Sequence, residues 1–220
     1  LDRYPRQPER DAGMLHEAGC DLLFLPSVET IYPPGNATRI HVEGAARGYE
    51  GKLRPGHFDG VATVVTILFQ LVRPNFAVFG EKDAQQLAVV RQLVRDLHLP
   101  VEIVAGPTKR EPDGLAMSSR NAYLSPDERE AATVLSRALA AAGDEIAAGE
   151  RRAAAIRRRL RDELQTEPRF ELDYADVVDA LTFQPVTRLA GRVVIPVAGR
   201  VGNTRLLDNL QLELPGESGG

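Results

Sequence analysis

Residues 76–104 alternate apolar runs and breakers in a way that few folds accommodate. Residues 76–79 (FAVF) form an apolar run of strand length, and residues 80–83 (GEKD) are polar and turn-like. Residues 84–97 place Leu87, Val90, Leu93, Val94 and Leu97 on one helical face, and residues 101–104 follow Pro100 as a second short apolar run. Two strands joined through a helix by short connections predict a β-α-β unit with parallel strands, so an α/β chain. In an open sheet of this kind ligands bind beyond the carboxyl ends of the strands. The informative residues are therefore expected after positions 79 and 104.

The flanks read less sharply. Residues 8–19 predict a short helix ending at Gly19, and residues 21–25 (DLLFL), closed by Pro26, predict a buried strand. Pro33, Pro34 and Gly35 mark a turn, and residues 38–42 suggest another strand. Residues 44–60 are Gly-rich and basic and read as a loop with at most a short helix. Gly60 then opens a helix that runs to Val72 and stops at Pro74. Residues 105–121 read as a long loop. Beyond it, Ser125-Pro126-Asp127-Glu128 is a capping box with Pro at the first helical position. Helices are expected over 125–148 and 151–164, then strands over 172–178, 192–196 and 205–214, close enough to pair antiparallel. That order predicts a separate α+β unit, with domains at 1–108 and 109–220. Residues 215–220 read as a disordered tail, and residues 1–8 read as the edge of a longer chain.

Composition narrows the function classes. The 220 residues are 43% apolar and 26% charged, with a net charge of −4, which describes a globular chain without the basic surface that nucleic acid requires. Arg151, Arg152, Arg157, Arg158, Arg159 and Arg161 are followed by Asp162 and Glu163 with no interleaved aromatic, and read as a solvated helix face. No run is long enough to span a bilayer, and none reads as a signal peptide. The single cysteine, Cys20, allows no internal disulfide and fits a reducing compartment, so a cytoplasmic location is expected. Lys52, Lys82 and Lys109 are the three lysines among 27 basic residues, so each stands out.

Three segments carry candidate chemistry. Gly80-Glu81-Lys82-Asp83 sits between a strand and a helix, where free N–H groups and the helix dipole suit phosphate, with Lys82 as a mobile charge and Asp83 as an acceptor for ribose hydroxyls. Read alone, it is more simply a polar turn with a capping Asp. Met117-Ser118-Ser119-Arg120-Asn121 combines two hydroxyls, a guanidinium and an amide, as phosphate contacts require, and reads equally as a solvated turn. Together, after adjacent strands, the two favour a nucleotide site. In Arg54-Pro55-Gly56-His57-Phe58, Arg54 suits a carboxylate and His57 a proton, although a surface loop with a packed histidine accounts for them too. No pair among His16, His41, His57 and His98 has zinc-ligand spacing.

Read as strings, these segments resemble the pantothenate synthetase family, as do Tyr4-Pro5-Arg6, Tyr32-Pro33, Gln85-Gln86-Leu87, Asp113-Gly114-Leu115-Ala116 and Leu206-Leu207-Asp208-Asn209. The resemblance covers essentially the whole chain. It implies a Rossmann-like nucleotidyltransferase domain followed by a small α+β lid, in a homodimer. It further implies ATP-dependent ligation of pantoate to β-alanine through a pantoyl adenylate, with Mg²⁺ accompanying ATP. On this pattern Gly80, Glu81, Lys82, Asp83, Lys109, Met117, Ser118, Ser119 and Arg120 bind ATP. Lys82, Ser118, Ser119 and Arg120 act on the phosphates, and Gln86, Arg54 and His57 lie at the pantoate or β-alanine end. Magnesium ligands are not assigned. The family's His-x-Gly-His and Val-Asn-Pro-x-Gln-Phe motifs have no counterpart here, so an N-terminally incomplete chain is expected, and Ala84 stands where the family usually has an aromatic. Two rivals remain: another adenylyltransferase of the superfamily, and a non-catalytic binding or dimerisation module.

Overall fold

The structure, a computed structural model, describes residues 7–215. Tyr4-Pro5-Arg6, the opening segment and residues 216–220 of the expected tail lie outside the described residues. The chain divides into two compact units, Leu1–Thr38 and Arg39–Gly220.

In the first unit, helix α1 (Pro8–Glu17) starts with Pro at its first positions, where the missing N–H costs nothing. It closes at Gly19, whose φ of +78° is the left-handed geometry that glycine adopts without strain. Helix α2 (Val28–Ile31) is capped by the Ser27 hydroxyl, which accepts from the Thr30 N–H at 3.2 Å. The strand expected over 21–25 is absent: the segment has no regular structure, and Leu22 and Leu25 are 82% and 71% exposed. A strand requires a hydrogen-bonded neighbour, and none of the described strands pairs with it.

The second unit holds the predicted β-α-β. Strands β1 (Phe76–Gly80) and β2 (Glu102–Gly106) pair in parallel, with Phe76 opposite Glu102 and Gly80 opposite Gly106. Between them α5 (Ala84–Asp96) buries Leu87, Val90 and Leu93 as the periodicity requires, whereas Leu97 lies past the helix end and is exposed. Residues 44–60 are more helical than their composition suggests, with α3 (Tyr49–Leu53) and the start of α4 (His57–Val72) inside them. Two of the glycines in this segment, Gly48 and Gly56, have φ of +73° and +76° and stand at the N-caps of these helices. Residues 38–42 form no strand either; the Ile40 N–H donates instead to the Thr63 hydroxyl at 3.0 Å.

The C-terminal elements follow the expected order. The Ser125–Glu128 capping box forms in full and opens α6 (Pro126–Ala132), which a break at Thr133 separates from α7 (Val134–Ala147); α8 (Ala153–Leu164) follows. Strands β3 (Phe170–Ala175), β5 (Arg192–Val201) and β6 (Thr204–Glu213) form an antiparallel sheet with β5 between its neighbours, and the short β4 (Val178–Asp179) pairs with β5. One apolar core lies between α6–α8 and this sheet, around Leu135, Ile156, Leu160 and Ile195. A second core packs Phe58, Ala62, Val89 and Val90 of α4 and α5 against Val178, Phe183 and Val194. Among the described residues no helix is long and apolar enough to cross a membrane.

Candidate active site

At the carboxyl end of β1 the chain tightens into a 3-10 turn, Glu81–Asp83, which runs directly into α5. This turn forms one wall of a pocket of about 170 Å³, in which Lys82, Asp83 and Gln86 meet Arg54 and His57. Residues from two separated stretches of sequence thus share one cleft, at the position where an α/β sheet offers its ligand site. Arg54 and His57 reach it because α3 ends at Arg54 and α4 begins at His57, with the His57 N–H donating to the Arg54 carbonyl at 3.0 Å.

The pocket floor is polar and fully paired. Glu50, only 6% exposed, accepts two hydrogen bonds from the Arg205 guanidinium, at 2.8 and 2.6 Å, and a third from the Tyr174 hydroxyl at 2.9 Å. Arg205 also donates to Asp173 at 2.7 Å, and Arg54 approaches Glu50 at 3.9 Å. Burial alone would raise the Glu50 carboxyl pKa; the bonds and charge of Arg205, with Tyr174 and Arg54, outweigh it and hold the group below its ordinary value. Gln85, also buried, receives the Glu50 N–H at 2.9 Å and donates to the Ala45 carbonyl at 3.0 Å, which fastens α5 to α3. His57 is pushed below its ordinary pKa, first by burial and then by the charge of Arg54, so it stands neutral at pH 7. Burial, and then Arg120 and Arg205 as neighbouring positive charges, also lower Arg54, against the pull of Glu50. The result is a cleft edged by Arg54 and Lys82, with its two buried carboxylates, Glu50 and Asp208, already committed to Arg205 and Arg110, so the positive charge at the edge is left for an anionic ligand.

Strand β6 holds the turn from the opposite side. The Asn209 amide donates to the Glu81 and Lys82 carbonyls, both at 2.9 Å. Its neighbour Asp208 accepts from Arg110 at 2.6 and 3.0 Å. The remaining sequence candidates lie outside the pocket lining. Ser118 caps the 3-10 turn Ser119–Tyr123, its hydroxyl accepting from the Arg120 N–H at 3.3 Å. The Arg120 side chain donates to the Arg205 carbonyl at 3.2 Å, which ties this turn to the pocket floor. Met117 is exposed, and its N–H donates to the Lys109 carbonyl at 2.9 Å. Gly80 has an ordinary extended φ of −69°, and Glu81 faces a different cleft. Sequence reasoning passed over Glu50, Tyr174 and Arg205. Asp208 and Asn209 were part of a recognised string with no task attached, and their signal was that two polar residues interrupt an apolar strand. Among the described residues no cluster of three His, Cys, Asp or Glu side chains can hold a metal. A divalent ion carried by a polyphosphate needs only one or two carboxylates, and Asp83, at the pocket beside Lys82, meets that demand.

A parallel β-α-β unit with a cationic pocket at its strand ends, leaning on an antiparallel α+β part, defines an α/β enzyme acting on small anionic molecules. Known proteins narrow this class. The model of the pantoate-beta-alanine ligase family matches residues 1–211, and the chain belongs to that family. It is 49% identical to the pantothenate synthetase of Acetivibrio thermocellus over 97% of this chain and 76% of that protein. It is 52% identical to that of Herpetosiphon aurantiacus over 94% and 75%. The crystal structure of pantothenate synthetase from Thermus thermophilus superposes with a TM-score of 0.89 at 52% identity, covering 94% of this chain and 75% of that one. A Francisella tularensis pantoate-beta-alanine ligase, complexed with beta-gamma ATP and beta-alanine, superposes with a TM-score of 0.69 at 33% identity over 94% of this chain and 70% of that one.

Proposed function

We propose that this pocket serves the ATP-dependent ligation of pantoate to β-alanine. A pantoate carboxylate oxygen attacks the α-phosphorus of ATP, the bond to the β-phosphate oxygen breaks, and pyrophosphate leaves. The β-alanine amine, having lost its ammonium proton, then attacks the acyl carbonyl, and AMP leaves as pantothenate forms. Both nucleophiles belong to the substrates, so the protein supplies positioning and positive charge rather than a nucleophilic side chain. The observation that carries this reading is the convergence of Arg54, His57, Lys82, Asp83 and Gln86 in one cleft of a chain from this family.

The roles divide by chemistry. Lys82 meets the phosphates with a mobile charge, and Arg120 with Ser118 and Ser119 approaches them from the turn docked on Arg205. Gly80, Glu81 and Asp83 border the ribose. The Lys109 backbone and Met117, already hydrogen-bonded to each other, flank the adenine. Gln86, Arg54 and His57 hold the pantoate end. Asp83 is the pocket carboxylate that could hold a Mg²⁺ ion bound with ATP, which would offset phosphate charge. The reading includes residues 109–220 as a lid over residues 1–108, a homodimer and a cytoplasmic location; light scattering tests the dimer. The decisive assay is AMP release from ATP. Release that requires both pantoate and β-alanine supports the reading. Release with either alone points to another adenylyltransferase, and none at all leaves binding or dimerisation as the function.

A further inference from the structure

We propose that the cleft between Arg91 and Arg192 is a second anion-binding site, back to back with the candidate active site, which takes a small molecule bearing a phosphate or carboxylate group. The cleft has about 350 Å³ of space, against 170 Å³ for the pocket at Lys82. Arg91 enters it from α5 and Arg192 from the start of β5. Glu81, Gln211 and Glu213 also line it.

Neither guanidinium makes an ion pair or a side-chain hydrogen bond among the described residues, and neither do the carboxylates of Glu81 and Glu213. What sets these two arginines apart is that they line one cavity. Burial, and then the charge of Arg192, push the Arg91 guanidinium below its ordinary pKa, with Glu81 opposing more weakly. Arg91 therefore feels Arg192 more than it feels Glu81. An anion between them relieves the like-charge repulsion, and two planar forks with five N–H donors each suit phosphate or carboxylate oxygens.

The two sites share a wall. On β6, Asn209 faces the first pocket and Gln211, two residues along the same strand face, faces the second. Asn209 holds the Glu81 carbonyl at 2.9 Å and Gln211 holds it at 3.2 Å. Glu81 turns its side chain to the second cleft, while Lys82 and Asp83 face the first.

The test titrates the protein with pyrophosphate and separately with malonate, against sodium chloride at matched ionic strength, following the melting temperature and the heat of binding. Saturable binding of at least one probe is expected. In the Lys82→Ala background, where the phosphate charge of the first pocket is removed, saturable binding is expected to persist, and adding Arg91→Gln or Arg192→Gln is expected to weaken it at least tenfold. Arg192 is exposed on its strand, so that variant folds even if Arg91→Gln does not. A preference for pyrophosphate assigns the site to phosphorylated ligands, and a preference for malonate assigns it to carboxylates. No saturable binding in the Lys82→Ala background, or binding there that survives both arginine substitutions, overturns the proposal.

Discussion

Single side chains in the pocket differ in what they should do when removed. Lys82 is the charge best placed to meet phosphate oxygens as they gain charge in the transition state, a contribution that typically amounts to about 10²–10³ in rate. Lys82→Ala is expected to slow single-turnover adenylate formation by that factor while the melting temperature stays nearly constant; a loss under tenfold removes Lys82 from this role. Glu50 behaves in the opposite way. Its pair with Arg205 is enclosed, with side chains 8% and 12% exposed, and removing one partner strands the other charge. Glu50→Leu should cost about 3–5 kcal/mol in urea unfolding, and the double variant with Arg205→Met should recover much of it. Lys82, Arg54, His57 and Gln86 could be read from the chain because they sit in short motifs beside predicted turns. Glu50 could not, because the partner that gives it meaning lies 155 positions away. Nothing local distinguishes a glutamate in Tyr-Glu-Gly-Lys from a solvated one.

Elements were legible where periodicity and punctuation agree. Residues 76–104 combine a 3.6-residue apolar face with breakers at both ends, and the structure returns strand, turn, helix and strand in the expected places. The capping box at Ser125 was legible for the same reason, since two reciprocal bonds lie within four residues, at 3.3 and 2.9 Å. Ser125→Ala removes the hydroxyl that satisfies the Glu128 N–H and is expected to cost about 1 kcal/mol, read as a drop in melting temperature with unchanged far-ultraviolet circular dichroism. Legibility failed where glycine carries two meanings. Gly48 and Gly56 look like loop residues, yet each supplies the positive φ from which a helix then departs. It failed again at residues 21–25, because an apolar run becomes a strand only when another strand pairs with it, and pairing is not a local property. The junction of the sequence-based units shows the same limit. Val178, Phe183 and Val194, far downstream, complete the core that α4 and α5 begin.

For the second unit as a whole, the ionisable groups with shifted equilibria predict how stability follows pH. Glu50 is held below its ordinary value of 4.5, because Arg205, Tyr174 and Arg54 together outweigh its burial. Arg152 holds Glu150 at about 2, and Arg169 holds Glu167 at about 2, but these arginines are 73% and 49% exposed, so salt screens the pairing. As pH falls below 4.5 the unfolded chain binds protons at these groups before the folded chain does, so stability present above 4.5 is progressively lost. His57 acts in the same direction at higher pH. Its folded value lies below 6.5, because burial and then Arg54 disfavour the charged ring. From 6.5 downward the unfolded chain takes up a proton that the folded chain refuses. Both contributions make stability rise with pH, in two limbs, and level off above 6.5. Calorimetry between about pH 3 and 8 is therefore expected to show a flat melting temperature from about pH 7 upward, a shallow fall beginning near 6.5 and a steeper one below 4.5. His57→Gln should remove the shallow limb and leave the steep one, and about 0.5 M salt should weaken the part owed to Glu150 and Glu167 more than the part owed to the enclosed Glu50. A melting temperature that peaks below about pH 5 contradicts this account, since it requires carboxylates that favour the protonated form in the folded state, the reverse of the arrangement around Glu50.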